Sequence, residues 1–143
     1  MGSKRNESES FREGWPCAER SDQASEPLAW HDSRVTDDFY CDEVLSGRTA
    51  VNVVLETEAV LAYHHTRPFW PVHIVVIPRM HVPSLTDLGD APPELLVQLM
   101  AAVREVARQV EEEHGAARVL TNLGEYQDSK HLHFHVNSGD PRA

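Results

Sequence analysis

Near the C-terminal end the chain reads His131-Leu132-His133-Phe134-His135-Val136. This alternation of histidine with apolar residues constrains the fold more than any other feature. Period two is the pattern of a half-buried strand. On such a strand, residues two apart share a face about 6.5–7 Å apart. The reading therefore places three imidazoles in a row on one side of a strand. Leu132, Phe134 and Val136 pack into a core on the other. Three titratable rings are costly to desolvate and contribute nothing to a core, so they point to phosphate or metal chemistry.

A chain of 143 residues suffices for one domain with a real core. With 23 Asp and Glu against 13 Lys and Arg, nucleic acid and anionic membranes are not expected as partners. No apolar run approaches the length of a membrane span, and no signal-peptide core is present. Cys17 and Cys41 form no Cys-x-x-Cys motif and are expected as reduced thiols of a cytoplasmic protein. Charge is unevenly distributed. Between Ala59 and Thr86 there is no Asp or Glu, but there are Arg67, Arg79, His64, His65, His73 and His81. The segment Lys130 to Gly139 is likewise free of acids. Clearing carboxylates from two histidine-rich stretches of an acidic chain fits a local anion site.

Residues 1–36 are rich in Ser, Glu, Arg and Asp and are expected to form a disordered or loosely packed acidic tail, in which Trp15 and Trp30 are docking candidates. The compact domain is expected over 37–143. Phe39 to Gly47 reads as a short helix or turn. Strands are expected over 51–56, 59–64 and 73–77, the last apolar throughout and so central. From Glu94 to Glu113, apolar residues recur with the helical period at Leu96, Leu99, Met100, Val103, Val106, Ala107 and Val110. Asp90 or a neighbour is expected to cap this helix, with Pro92 and Pro93 in its first turn and Gly115 at its end. Strands at 117–120 and 131–137 follow. The expected class is α+β: a five-stranded, mostly antiparallel sheet with one long helix and a short N-terminal helix.

The run His131-Leu132-His133-Phe134-His135-Val136-Asn137 resembles the signature of the histidine triad (HIT) family, with Asn137 departing from its last apolar position. Pro71-Val72-His73-Ile74-Val75-Val76-Ile77-Pro78-Arg79-Met80-His81 resembles a second family segment. Asn122 and Gln127 stand where the family has asparagine and glutamine. The resemblance covers roughly residues 39–139 and implies a HIT-like fold. It implies cleavage of a nucleotide substituted at the α-phosphate, such as a nucleoside phosphoramidate, through a nucleotidyl-histidine intermediate. A dinucleoside polyphosphate hydrolase and a catalytically weak nucleotide-binding regulatory protein are the alternatives.

The resemblance makes His133 the nucleophile, since a neutral imidazole carries a free lone pair near neutral pH. His135 and His73 become phosphate donors, and His131 orients the others and relays a proton. It places Asn122, Gln127 and Ser129 around the phosphate and leaving group, and a base pocket near Val44, Leu45 and Tyr63. His65 stands where many members bind ribose through an aspartate, and Asp128 replaces a hydroxyl residue. Trp70 either stacks on a base or covers the sheet edge. The implied partner is a purine nucleotide or nucleotide conjugate, and the implied assembly is a homodimer. His81 is expected to be structural, and His31, His64 and His114 ordinary. A His-x-His pair on a strand also suits zinc. No carboxylate lies at a suggestive spacing, so no metal or other cofactor is expected.

Overall fold

The computed structural model describes residues 38–142. The expected tail over 1–36 lies outside them. Five strands, β1 Val53–Glu56, β2 Val60–His64, β3 Val72–Pro78, β4 Arg118–Leu120 and β5 Phe134–Ser138, form one sheet in the order β1-β2-β3-β5-β4. Every pairing is antiparallel. With one long helix, α1 Pro93–His114, this is the expected α+β architecture. β3 is central, and six of its seven residues are buried, as its unbroken apolar run required.

Alternation along the strands gives the sheet two faces. Val60, Ala62, Ile74, Val76, Phe134 and Val136 face α1, which buries Leu95, Leu99, Val103, Val106 and Val110 against them. Each fully buried side chain of this kind contributes roughly 1.5–3 kcal/mol. Leu61, Tyr63, Val75 and Ile77 face the other way, under a short helical turn at Tyr40–Val44. His135 lies opposite Val75, and His73 opposite Asn137, so the chemistry-bearing face is the one turned away from α1.

Pro93 opens α1, and Gly115 closes it with φ +86 and an N–H donated to the Glu111 carbonyl. Left-handed φ costs glycine nothing. Asp90 does not cap this helix. Pro92 occupies the cap position, and no side chain bonds the first-turn N–H groups. An extended Pro92 next to Pro93 sets the entry without a polar cap.

The expected strand over 131–137 starts later, at Phe134. Leu132 donates its N–H to the Val82 carbonyl instead of to β3. His131 and Leu132 thus leave the sheet, and the three imidazoles do not form one row. At the other end of β5, Gly139 has φ +93. A Cβ there would lie 2.8 Å from Pro71 Cγ, so only glycine lets β5 exit against the 67–71 loop.

Candidate active site

The sheet face opposite α1 carries a cleft of about 610 Å³. His133 and His135 enter it from β5 and its approach, His73 from β3, and Tyr63 and His65 from β2 and its end. Asn122, Asp128 and Ser129 line the side formed by the 121–130 loop. Phe39 and Tyr40 come from the N-terminal turn, and Phe69, Trp70 and Tyr126 are also in the lining.

His133 is buried, and its Nδ1 lies 2.7 Å from the His131 carbonyl oxygen. A carbonyl only accepts, so Nδ1 carries the proton and Nε2 keeps the lone pair. The Tyr40 ring packs on this imidazole at 4.8 Å between centroids. Thr121 Oγ1 donates to the His133 carbonyl at 2.7 Å. The nucleophile candidate is therefore held by its ring, its tautomer and its main chain.

The donor beside it is set by a relay. The Phe69 N–H donates to His73 Nδ1 at 3.1 Å. His73 must then be protonated at Nε2, which donates to His135 Nδ1 at 2.8 Å. His135 in turn carries its proton on Nε2. His73, given a phosphate-donor role by the resemblance, directs its Nε2–H to His135 in this arrangement and fixes that ring's tautomer.

These rings are uncharged near neutral pH. Burial, with the repulsion that protonated His133, His73 and His65 would add, pushes His135 down to about 3. Burial and the neighbouring His65 push His73 down to about 4. His133 is lowered by burial and by the charges of His131 and His65. Its bond to the His131 carbonyl and the charge of Asp128 oppose that shift. Burial and nearby acidic groups raise Tyr40 above the ordinary phenol range, so it remains a hydroxyl.

A pH dependence of stability follows. Unfolded histidines take up protons as pH falls below about 6.5, whereas folded His73 and His135 resist protonation until about 4 and 3. The unfolded state binds more protons across that window, so stability falls with pH from about 6.5 towards 4. Urea unfolding at a series of pH values should show a falling midpoint, and His135→Asn should flatten the slope.

His131 is fully buried behind the cleft and does not line it. Its Nε2 lies 2.8 Å from the Pro78 carbonyl oxygen and its Nδ1 3.1 Å from Asp38 Oδ2. Both ring nitrogens face oxygen atoms. His81 bonds the same Asp38 oxygen through Nδ1, and the Cys41 N–H donates to Oδ1 at 2.8 Å. Burial alone would raise Asp38. Hydrogen bonds from His131 and His81, and the charge of His131, instead hold it well below the usual carboxylate range. Asp38 escaped the sequence reading because nothing local marks a carboxylate whose partner lies 93 positions away. His81, expected to be structural, lies outside the cleft lining.

Asp38, Cys41, His81 and His131 place one potential metal ligand each within 4.8 Å of one another. The donor types would suit zinc if Cys41 were a thiolate. Cys41 is disulfide-bonded, which corrects the expected reduced thiol, and a disulfide sulfur supplies no thiolate. In this state the set does not fit zinc and is satisfied by hydrogen bonds. His65, His73 and His135 also cluster within that distance. The Nδ1 atoms of His65 and His73 already accept backbone N–H groups at 2.9 and 3.1 Å, and His73 Nε2 bonds His135, so these rings are held as donors rather than ligands.

Among the expected binding residues, Asn122, Ser129, Tyr63 and His65 line the cleft. Gln127, Val44 and Leu45 do not. Gln127 is buried and donates its side-chain N–H to the Pro83 carbonyl at 2.8 Å. Val44 and Leu45 pack in the small core with Tyr63 and Ile77, since the turn directs its apolar side chains at the sheet. Trp70 packs edge-on against His73 at 4.8 Å between centroids and also lines the cleft. Phe69 and Tyr126, which no sequence pattern distinguished, are exposed in that lining.

Residues 47–142 match the HIT domain, and the chain belongs to the HIT family. It is 32% identical to an uncharacterized HIT-like protein of Helicobacter pylori over 101 residues, 69% of this chain and 94% of that protein. Among solved structures, it is similar to a Zn-bound histidine triad family protein from Mycobacterium smegmatis, with TM-score 0.62 and 30% identity over 72% of this chain and 75% of that one. It is also 24% identical to the purine nucleoside phosphoramidase of Escherichia coli, over 63% of this chain and 77% of that protein.

Proposed function

We propose that this protein hydrolyses a purine nucleotide conjugate substituted at the α-phosphate, with a nucleoside phosphoramidate as the leading substrate class. The observation that carries this reading is the His133 Nδ1 bond to the His131 carbonyl, because it leaves Nε2 unprotonated beside the His135 Nε2–H. The similarity to the E. coli phosphoramidase supports the substrate class.

In this mechanism the His133 Nε2 lone pair attacks the α-phosphorus. The bond from phosphorus to the leaving group breaks, and the leaving group departs with that electron pair and gains a proton from solvent. The product is a nucleotidyl-His133 intermediate. Water then attacks phosphorus and gives up a proton to the Asp128 carboxylate or solvent, the P–N bond to His133 breaks, and the electron pair returns to Nε2. His135 donates to a phosphoryl oxygen throughout. Its direction is preset by His73 and the Phe69 N–H, which is the kind of preorganisation that lowers such barriers. Asn122 and Ser129 contact the phosphate and leaving group, and Phe69, Trp70 and Tyr126 offer flat surfaces to a base. Asp128 lines the cleft beside Ser129, where a carboxylate can accept the proton that the attacking water gives up. A turnover screen of adenosine and guanosine phosphoramidates beside dinucleoside polyphosphates tests the assignment; the phosphoramidates are expected to give the higher kcat/KM.

No step requires a metal ion, since the nucleophile and the donors are imidazole nitrogens. Exhaustive chelation should leave kcat/KM within about twofold of the untreated enzyme. Loss of activity restored by zinc alone would favour metal-activated water.

We also propose a homodimer. β4 is a short edge strand with Val119 exposed, and α1 exposes Val97 and Met100. A second copy pairing across this edge would cover both. Light scattering should report twice the 16.1 kDa chain mass; a single-chain mass at micromolar concentration would count against it.

A further inference from the structure

We propose that His65 and Arg67 form a subsite for an anionic group, a carboxylate or a second phosphate, carried by the substrate close to its scissile phosphorus. The proposal rests on the hydrolase reading and names a feature of its substrate.

The His65 ring is fixed in place and in tautomer. It stacks on His73 with centroids 4.2 Å apart and planes inclined by 19°. Its Nδ1 accepts the Arg67 N–H at 2.9 Å. A neutral imidazole whose Nδ1 accepts must carry its proton on Nε2, so His65 is a hydrogen-bond donor. Burial lowers its pKa, which keeps it uncharged near neutral pH. The His65 and His135 centroids are 6.0 Å apart, so the donor at His65 stands one neighbouring group away from the donor at the scissile phosphate.

The surroundings admit an acceptor and little else. Thr66 and the exposed Arg67 follow His65 along the cleft wall. Between Ala59 and Thr86 the chain has no carboxylate. Among the described residues none is paired with Arg67, and the one carboxylate in the cleft lining, Asp128, belongs to the loop after β4. An uncharged N–H donor with an adjacent guanidinium suits anionic oxygens. A hydroxyl pair would find no acceptor on His65 or Arg67, because Nδ1 is already engaged and guanidinium only donates.

The test compares three nucleoside phosphoramidates of matched skeleton. All three carry the same alkylamine; one has an unmodified ribose, one a carboxymethyl group on a ribose hydroxyl, and one a phosphate there. The parent should favour at least one anion-bearing conjugate by about tenfold in kcat/KM, and the two anionic arms show whether carboxylate or phosphate is taken. That preference should shrink at high salt, because Arg67 is exposed to screening. Arg67→Gln and His65→Phe, the latter keeping a flat ring against His73, should each bring the ratio close to one. Calorimetric affinities for methylene-bridged, uncleavable versions of the three conjugates should show the same preference and the same two losses. A parent ratio near one in both measurements, or a preference that survives both substitutions, overturns the subsite. If none of the conjugates turns over but the affinity preference and its losses appear, the subsite stands and the hydrolase reading fails.

Discussion

His133→Ala should lower turnover by about ten-thousandfold or more, the scale on which loss of a covalent nucleophile is felt. The fold should survive. The ring bonds the His131 carbonyl and packs on Tyr40 at the floor of a cleft rather than within either hydrophobic core. Affinity for the nucleoside monophosphate should change far less than turnover, because binding is shared among His135, Asn122, Ser129 and the aromatic lining. Steady-state kinetics beside calorimetric binding separates the two effects. Turnover within tenfold of the parent would remove His133 from the nucleophile role.

The second large effect is on stability. Asp38→Ala removes a fully buried carboxylate that accepts from His81, His131 and the Cys41 N–H. Breaking a buried charged network by deleting one partner typically costs about 3–5 kcal/mol, because the groups left behind remain desolvated. Urea unfolding measures this loss directly. Activity should fall as well, through position rather than chemistry. Asp38 holds the His131 ring, and the His131 carbonyl sets the His133 tautomer. Asp38→Asn retains an acceptor oxygen and should recover part of both losses.

The elements that sequence patterns revealed are those whose signal is local. The apolar run of β3 and the helical repeat from Leu99 to Val110 each report burial through near neighbours. The alternation at Phe134, His135 and Val136 does the same, so the sheet, the helix and the paired His133 and His135 were legible. His131 belongs to the same alternation, yet it leaves the sheet because Leu132 bonds the Val82 carbonyl and Asp38 captures the ring. Neither partner lies near it in sequence. Gln127, Val44 and Leu45 failed as cleft residues for the same reason. Their positions matched a family pattern, but Pro83 takes the Gln127 amide and the sheet takes the two apolar side chains. His65 was legible as a departure. Its donor character was not, because that depends on the Arg67 N–H folding back onto Nδ1.

The proposed mechanism depends on covalent chemistry at His133. Rapid quenching of the protein with a nucleoside phosphoramidate, followed by intact-mass and peptide analysis, tests it most directly. A transient adduct of one nucleoside monophosphoryl group is expected on the peptide containing His133, formed and lost at rates compatible with turnover and absent from His133→Ala. Turnover at full rate with no such adduct at any quench time, or an adduct on another residue, would contradict it.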